Sequence, residues 1–480
     1  MAGYALSYSL SKSLSRVSFA LKHDVPIHAR PRPFLRGPRQ RRTIHVASPS
    51  LLPAIQSESQ QKRQSWYASE EPLDRYCEGG YHPVTIGDQF KDGRYTVLRK
   101  LGWGRYSTIW LAKDSEKDAY VSLKLLTSEW TPREELLSEA AFLRAASTAN
   151  RSHPGFPHVL TLLDEFRFKG PNGQHIVLVT DVLGEDLVRV RRRYDSGRLA
   201  VGVVKQISKQ VLLGLQYLHE EVGLTHTDIK PDNILIALPT PEADDSSQTP
   251  CAVSNQFIAS CLSVLKPQSE TVTAPSGETV PISVSQALPI FAMRKETNGG
   301  GPLEINVKIV DLGVANWNED HWADTIQSPA MRAPEVILGA GWDTRADIWS
   351  TGCMIYELIT GEWLFSPQGT KLYSEEQDHL FQMTSLLGPI PASLIARGKH
   401  THKLFDAHRL LPSVSDQPVT LPLERRLEEQ GALNPEEFQE FVSFLRPMLQ
   451  IDPEMRATAS ELLQHQWVRE GREVHWWSGV

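Results

Sequence analysis

Cysteine is scarce in this chain: four residues in 480 (Cys77, Cys251, Cys261 and Cys353), no two of them at a metal-ligand spacing. That argues against a disulfide framework or a zinc module, and a reduced, intracellular setting is the simplest account. No run of about 18 apolar residues occurs, so no membrane-spanning helix is expected. A net charge of -7 and a pI near 6.2 argue against direct nucleic-acid binding by the whole chain and suit a basic partner. Acid is nearly missing from the first fifty residues. Nine Lys/Arg (Lys12, Arg16, Lys22, Arg30, Arg32, Arg36, Arg39, Arg41, Arg42) face Asp24 alone, a local charge of +8. Serines cluster at 7 to 18 and prolines at 26 to 38. Such a stretch reads as a mitochondrial transit peptide, or as a disordered basic tail for nuclear targeting or an acidic partner. Either way residues 1–77 are set outside the fold.

What is present is ordinary globular material, 40% hydrophobic and 22% charged, long enough to bury a sizeable core. Tyr95–Leu101, Ser107–Ala112, Tyr120–Leu126 and His175–Leu183 read as strands, the first two flanking a glycine turn. Pro132–Ala146 has helical character, with Pro132 suited to a first turn. Helical patterns dominate later, at Val203–Glu220, Thr344–Thr360, Glu376–Leu387, Pro435–Leu449 and Ala459–Gln466. Strands first and helices later predict an α+β, bilobal fold with a small β-rich lobe and a larger helical one. Residues 238–303, rich in Ser, Thr, Pro and Gly, lack sustained periodicity. They read as a disordered spacer whose ends lie close together on the surface. The expected divisions are a small lobe at 78–183, a large lobe at 184–237 and 304–470 split by the spacer, and a tail at 471–480.

The chemistry-bearing residues fall on this frame. Leu101-Gly102-Trp-Gly104-Arg-Tyr-Ser107-Thr-Ile109 stands between two strands, where glycines let backbone N–H groups approach phosphates; alone, with Ser107 in place of a third glycine, it reads more readily as a plain hairpin. Lys124, on the next strand, suits the α/β-phosphates, with Glu139 as the helix carboxylate chosen to hold it; Glu134 and Glu135 are alternatives nearer the helix start, where acids also serve the helix dipole. Leu224-Thr-His-Thr-Asp-Ile-Lys-Pro-Asp-Asn-Ile-Leu235 has the arrangement H-x-D-x-K-x-x-N of a protein-kinase catalytic loop. Asp228 would orient and deprotonate the substrate hydroxyl, Lys230 would steady the transferred phosphate, and Asn233 would hold Mg2+. Lys308-Ile-Val-Asp311-Leu-Gly supplies the second metal ligand, Asp311. Thr180, Asp181 and Leu183 close the strand that reaches the hinge, and are taken with Leu101, Gly102, Gly104 and Ile109 as the ATP pocket. Glu335 is expected to pair with Arg456, and Asp347 to cap the catalytic-loop backbone from a buried helix.

Over residues 78 to 470 the set of motifs resembles the SR-protein kinase family. Four features carry the likeness beyond a generic kinase. Gly79-Gly-Tyr-His-Pro-Val-Thr-Ile-Gly-Asp precedes the first strand, and Leu101-Gly-Trp-Gly is followed by Ser107-Thr-Ile-Trp. His226-Thr-Asp and Asp311-Leu-Gly replace the common His-Arg-Asp and Asp-Phe-Gly, and the spacer falls between the catalytic loop and the metal aspartate. The resemblance implies an ATP- and Mg2+-dependent serine/threonine kinase acting on Arg/Ser-rich proteins such as splicing factors. It also implies a monomer with no nucleic-acid or membrane partner, working in cytoplasm and nucleus, or in mitochondria if the first fifty residues direct import. Thr227, where an arginine commonly grips an activation-loop phosphate, implies constitutive activity. Glu362 and Asp378 match acidic docking positions, while Ser385 stands where a third acid is usual. Both acids read equally as ordinary surface charge. Thr180 at the gatekeeper position implies a more open back to the ATP pocket. Rival readings are a kinase of LAMMER- or DYRK-like specificity and a pseudokinase scaffold.

Overall fold

The computed structural model describes residues 69–131, 138–238, 250–264, 266–275, 277–289, 305–406, 411 and 422–469. The basic stretch at 1–50 and the tail at 471–480 lie outside them. The small lobe is a six-stranded antiparallel sheet, β1 (Gln89–Phe90), β2 (Tyr95–Gly104), β3 (Ser107–Asp114), β4 (Ala119–Leu126), β5 (Leu162–Gly170) and β6 (Gly173–Thr180), in the order β1-β2-β3-β4-β6-β5. β6 is buried without a break from His175 to Thr180 because it lies between β4 and β5, which is why it reads as an apolar run. β5 has no counterpart in the sequence reading. It is the edge strand, its residues alternate between exposed and half-buried, and its charges hide its period.

Helix α1 (Glu139–Thr148) packs on this sheet and is shorter than the segment expected from Pro132. Ser138 is left-handed (φ +32°) and its hydroxyl accepts from Ala141 N at 3.0 Å, so a helix starts there rather than running through. Residues 132–137, with Glu134 and Glu135, lie outside the described residues.

The chain crosses through β7 (Leu183–Asp186) into helix α2 (Val201–Gln216), which has Val203, Val204, Ile207, Val211, Leu212 and Leu215 in the core. After a π turn closed by Gly223 (φ +78°) come β8 (Leu224–Thr225) and β9 (Ile234–Ala237). Beyond the spacer, β9 pairs with a later strand, Val307–Ile309, and Ala237 N donates to Asn306 O at 2.7 Å. The residues that flank the spacer therefore lie side by side.

The interior of the spacer departs from its reading as structureless. Helix α3 (Pro250–Val264) and a hairpin of β10 (Ser269–Thr273) and β11 (Thr279–Ser283) stand within it. Ile258 and Cys261, one helical turn apart, are buried in the main core, and the hairpin's Ala274 and Val280 pack with Tyr76 and Tyr81. Ser- and Thr-rich composition masked two short strands whose apolar face covers the small lobe. Residues 69–77, also set outside the fold, belong to it too: Glu70, Glu71 and Tyr76 are buried.

The last strands are β12 (Val307–Ile309) and β13 (Asn316–Trp317), the latter paired with β8. The large lobe is organised about helix α4 (Arg345–Thr360), buried along its whole length after Arg345. Helix α5 (Glu375–Leu387) and helix α6 (Pro435–Met448) each begin on a capping box, Ser374 with Gln377 and Asn434 with Glu437. Glu335 and Arg456 form a fully buried bidentate pair at 2.6 and 2.8 Å, where the sequence placed it.

Candidate active site

The site grows from strand register. β3 sets Ile109 opposite Lys124, and β4 aims the lysine at α1 and at the segment after β12. Lys124 Nζ lies 2.8 and 2.9 Å from the Glu139 carboxylate oxygens and 2.9 Å from Asp311 Oδ1. Burial opposes the ammonium charge, but Asp311 and Glu139 outweigh it and raise the Lys124 pKa. In return the charge of Lys124 holds the Asp311 carboxyl down to about 2. At the glycine turn, a Cβ on Gly102 would meet no atom within 4 Å and one on Gly104 only Ser107 Oγ at 3.6 Å. Neither glycine relieves crowding within the chain, so the room they leave suits a close-lying ligand.

Leu101 is buried under the turn, and Thr180 is buried at the end of β6. The Asp181 carboxylate is occupied by Lys308 Nζ at 2.7 Å, so its side chain is not offered to a nucleotide. Leu183 opens β7 with its side chain buried.

The antiparallel pairing of β9 with β12 brings the two candidate metal ligands together across the spacer: Val310 N donates to Asn233 O at 3.0 Å, one residue before Asp311. Asn233 Nδ2 donates to Asp228 O at 2.8 Å and to its Oδ2 at 3.1 Å, so its amide oxygen is left for another role. Amide and carboxylate oxygens are the hard donors that Mg2+ takes, and the residues present fit that ion. Lys230 Nζ reaches Asp228 Oδ2 at 2.5 Å, and burial of this lysine is outweighed by the Asp228 charge, so its pKa is raised.

Sequence reasoning missed Ser328. Its hydroxyl donates to Asp228 Oδ1 at 2.8 Å and accepts from Lys230 Nζ at 3.3 Å, joining the activation segment to the catalytic loop. Nothing in a lone Ser-Pro marks that contact.

Three non-glycine residues beside the site hold left-handed backbone: Thr227 (φ +69°), Asp311 (φ +66°) and Gln327 (φ +70°). Such strain persists only where surroundings over-determine it. For Thr227 they do. Its N–H and that of His226 donate to the buried Asp347 carboxylate at 2.8 and 2.7 Å, and Thr227 Oγ1 donates to Val314 O at 2.7 Å. Asp347 thus caps the loop as the sequence suggested. Gln327 is held likewise, donating to Ala346 O at 2.7 Å and accepting from Ala333 N at 2.9 Å.

The two docking acids separate. Glu362 is exposed and accepts from Gln430 Nε2 at 2.7 Å. Asp378 is fully buried in the first turn of α5, accepting from Gln368 N at 2.6 Å and Gln382 Nε2 at 2.9 Å. Its role is to fix the loop before α5, which corrects the reading of it as a free docking charge. The exposed acids of that turn are Glu375 and Glu376.

A lysine bridging two carboxylates under a glycine turn, facing an Asp–Lys–Asn cluster, is the arrangement of a phosphotransferase of the protein kinase class. The family model described as protein kinase domain matches residues 95–242 and 295–468, leaving out the middle of the spacer. Protein kinase dsk1 of Schizosaccharomyces pombe is 34% identical, over 84% of this chain and 85% of its own. Serine/threonine-protein kinase SRPK of Physarum polycephalum is 34% identical over 84% and 92%, and human SRSF protein kinase 3 is 30% identical over 83% and 90%. The solved kinase domain of PF14_0431 shares the fold, with a TM-score of 0.57 at 23% identity over 80% of this chain and 98% of its own. The chain belongs to the protein kinases, within their SR-protein kinase family, and is a protein serine/threonine kinase that uses ATP and Mg2+.

Proposed function

We propose that this kinase phosphorylates serines in Arg/Ser-rich proteins, splicing factors among them, and does so without prior activation. The observation that carries the reading is the Asp228 constellation. With Lys230 on one carboxylate oxygen and Ser328 on the other, Asp228 is oriented to accept the proton of a substrate hydroxyl as the oxygen attacks the γ-phosphate. Lys230 then neutralises charge on the moving phosphoryl group. Lys124, steadied by Glu139, binds the α/β-phosphates, and Leu101, Ile109, Thr180, Leu183 and the Asp181 backbone enclose the base. Asp311 and Asn233 would hold Mg2+, which would supply charge neutralisation at the phosphates.

The names of the relatives, SRPK and SRSF protein kinase, support the Arg/Ser substrate class. Glu362, Glu375 and Glu376 give the large lobe exposed acids for arginine side chains. Constitutive activity follows from Thr227: a neutral hydroxyl bound to Val314 O fixes the segment after Asp311 where other kinases need a phosphate–arginine contact. Cytoplasm and nucleus are the compartments this substrate class implies.

The deciding assay offers labelled ATP and three substrates to wild type and Asp228→Ala: an Arg/Ser-repeat peptide, its Lys/Ser match and a Pro-directed peptide. Preference for Arg/Ser, reduced about 10²–10⁴-fold in the variant and retained after phosphatase treatment of the enzyme, is expected. Transfer to the other peptides alone would overturn the substrate class, and loss of activity with phosphatase would overturn constitutive activity.

A further inference from the structure

The glycine turn is gripped by segments that the kinase motifs do not include. Tyr81, 2% exposed, directs its hydroxyl at the carbonyl oxygens of Gly104 (2.9 Å) and Arg105 (3.1 Å), at the tip of the turn. Trp103 Nε1, on the turn itself, donates to Ser69 O at 3.1 Å. Three positions earlier, Lys100 is fully buried in β2. Its ammonium bonds Glu70 Oε2 at 2.9 Å, the Glu71 carboxylate, and Ser283 O at 3.2 Å. Glu70 is in turn held by Ser285, through N at 2.8 Å and Oγ at 2.7 Å, and Gln286 N donates to Lys100 O at 3.0 Å. The same stretch of the spacer goes on to bridge Leu288 to Gly184, just past the hinge.

Segments 69–81, 95–104 and 269–288 are therefore fastened to one another at the strand that feeds the glycine turn. Burying Lys100 with two carboxylates carries a desolvation penalty that only their pairing offsets. A fold without a use for this junction would do as well with apolar side chains there. Two of the turn's own backbone carbonyls, meanwhile, are engaged by a tyrosine that packs with Tyr76, Ala274 and Val280 of the same assembly.

We propose that Tyr81 is a positioning residue for ATP, and that the spacer hairpin, acting through Glu70 and Lys100, is the back wall that keeps the glycine turn in place over the phosphates. A pre-placed turn does not have to be ordered when nucleotide binds, so the support acts on nucleotide affinity more than on the chemical step. The inference rests on ATP being the phosphoryl donor and is independent of which protein is phosphorylated.

The test uses the full chain and reads KM for ATP and kcat twice, in peptide phosphorylation and in ATP hydrolysis without peptide. Tyr81→Phe removes only the hydroxyl; KM for ATP is expected to rise about three- to tenfold in both assays, with kcat and the peptide KM within about twofold of wild type. Ser285→Ala, in the spacer, is expected to move KM for ATP the same way by about twofold, and Lys100→Arg, which keeps the charge, to stay nearer wild type than Lys100→Met. A merely structural role would lower the melting temperature and the active fraction, hence kcat, at constant KM for ATP; that result overturns the proposal. So does an unchanged KM for ATP in Tyr81→Phe. If Tyr81→Phe does not fold, the Ser285→Ala and Lys100→Arg values decide: a rise in Ser285→Ala with Lys100→Arg near wild type supports the back wall, and no rise overturns it. Activity on none of the peptides, with ATP hydrolysis intact, would count against the substrate class and leave this inference standing.

Discussion

Two lysines of the small lobe, Lys100 on β2 and Lys124 on β4, are each bonded to two carboxylates, yet one belongs to the chemistry and the other to its support. Around Lys124, Glu139 is sealed but the Asp311 side chain is 47% exposed, so one of the two partners can be given up to an incoming group. Around Lys100, Glu70 and Glu71 are 3% and 0% exposed, and the spacer adds Ser283 and Ser285 to the same knot. The residue types are alike. What differs is whether any partner can be exchanged, and an ion triad with no exchangeable member can only hold the chain together.

The sharpest way to break that comparison is to remove each ammonium in turn. Lys124→Met is expected to lower phosphate transfer by about 10²–10⁴-fold, since it removes a charge aimed at the phosphates, and to cost less stability than the loss of Lys100, because only Glu139 of its two partners is sealed. Lys100→Met leaves Glu70 and Glu71 buried without their cation and is expected to cost about 3–5 kcal/mol of stability. Activity per folded molecule should then fall only several-fold, through KM for ATP. Thermal melts and steady-state kinetics on the two variants check both halves. If Lys100→Met lost transfer as fully as Lys124→Met without loss of stability, the distinction between the two lysines would be wrong.

The same contrast explains what the sequence made legible. Lys124, Asp228, Asn233 and Asp311 sit at spacings set by the chemistry, with strand and loop signatures around them, and Glu139 followed from an acid on the neighbouring helix. Lys100 carried no such mark. Its partners come from residues 69–77 and from the spacer, two regions whose composition suggested no fold at all. Their order arises from tertiary packing against the sheet, which no local period reports. Ser328 was unreadable for a similar reason, because a contact between activation segment and catalytic loop spans 100 positions. Asp378 was legible as an acid but not as a buried one: the burial depends on how the loop at Gln368 folds back over α5.

The smallest expected effect concerns charge at the exchangeable partner. The Asp311 carboxyl lies at about 2 in the fold, below its ordinary value near 3.8, chiefly because Lys124 is beside it. A depressed carboxyl contributes stability that is complete above its unfolded pKa and is lost as pH falls through the folded one. Lys124 is raised, so its contribution is complete below about 10 and fades only in strong alkali. Between about pH 5 and 8 neither group titrates, and the pair contributes a constant amount, reduced to about 1 kcal/mol or less by the solvent that reaches Asp311. Asp311→Asn tests this cleanly, because asparagine also accepts left-handed backbone and the φ of +66° need not change. The difference in melting temperature between wild type and Asp311→Asn should be level from pH 8 to 5 and shrink below about pH 4. A difference that stays level down to pH 2 would mean that Asp311 is not held by Lys124 in solution, and that the partner described as exchangeable has already been given up.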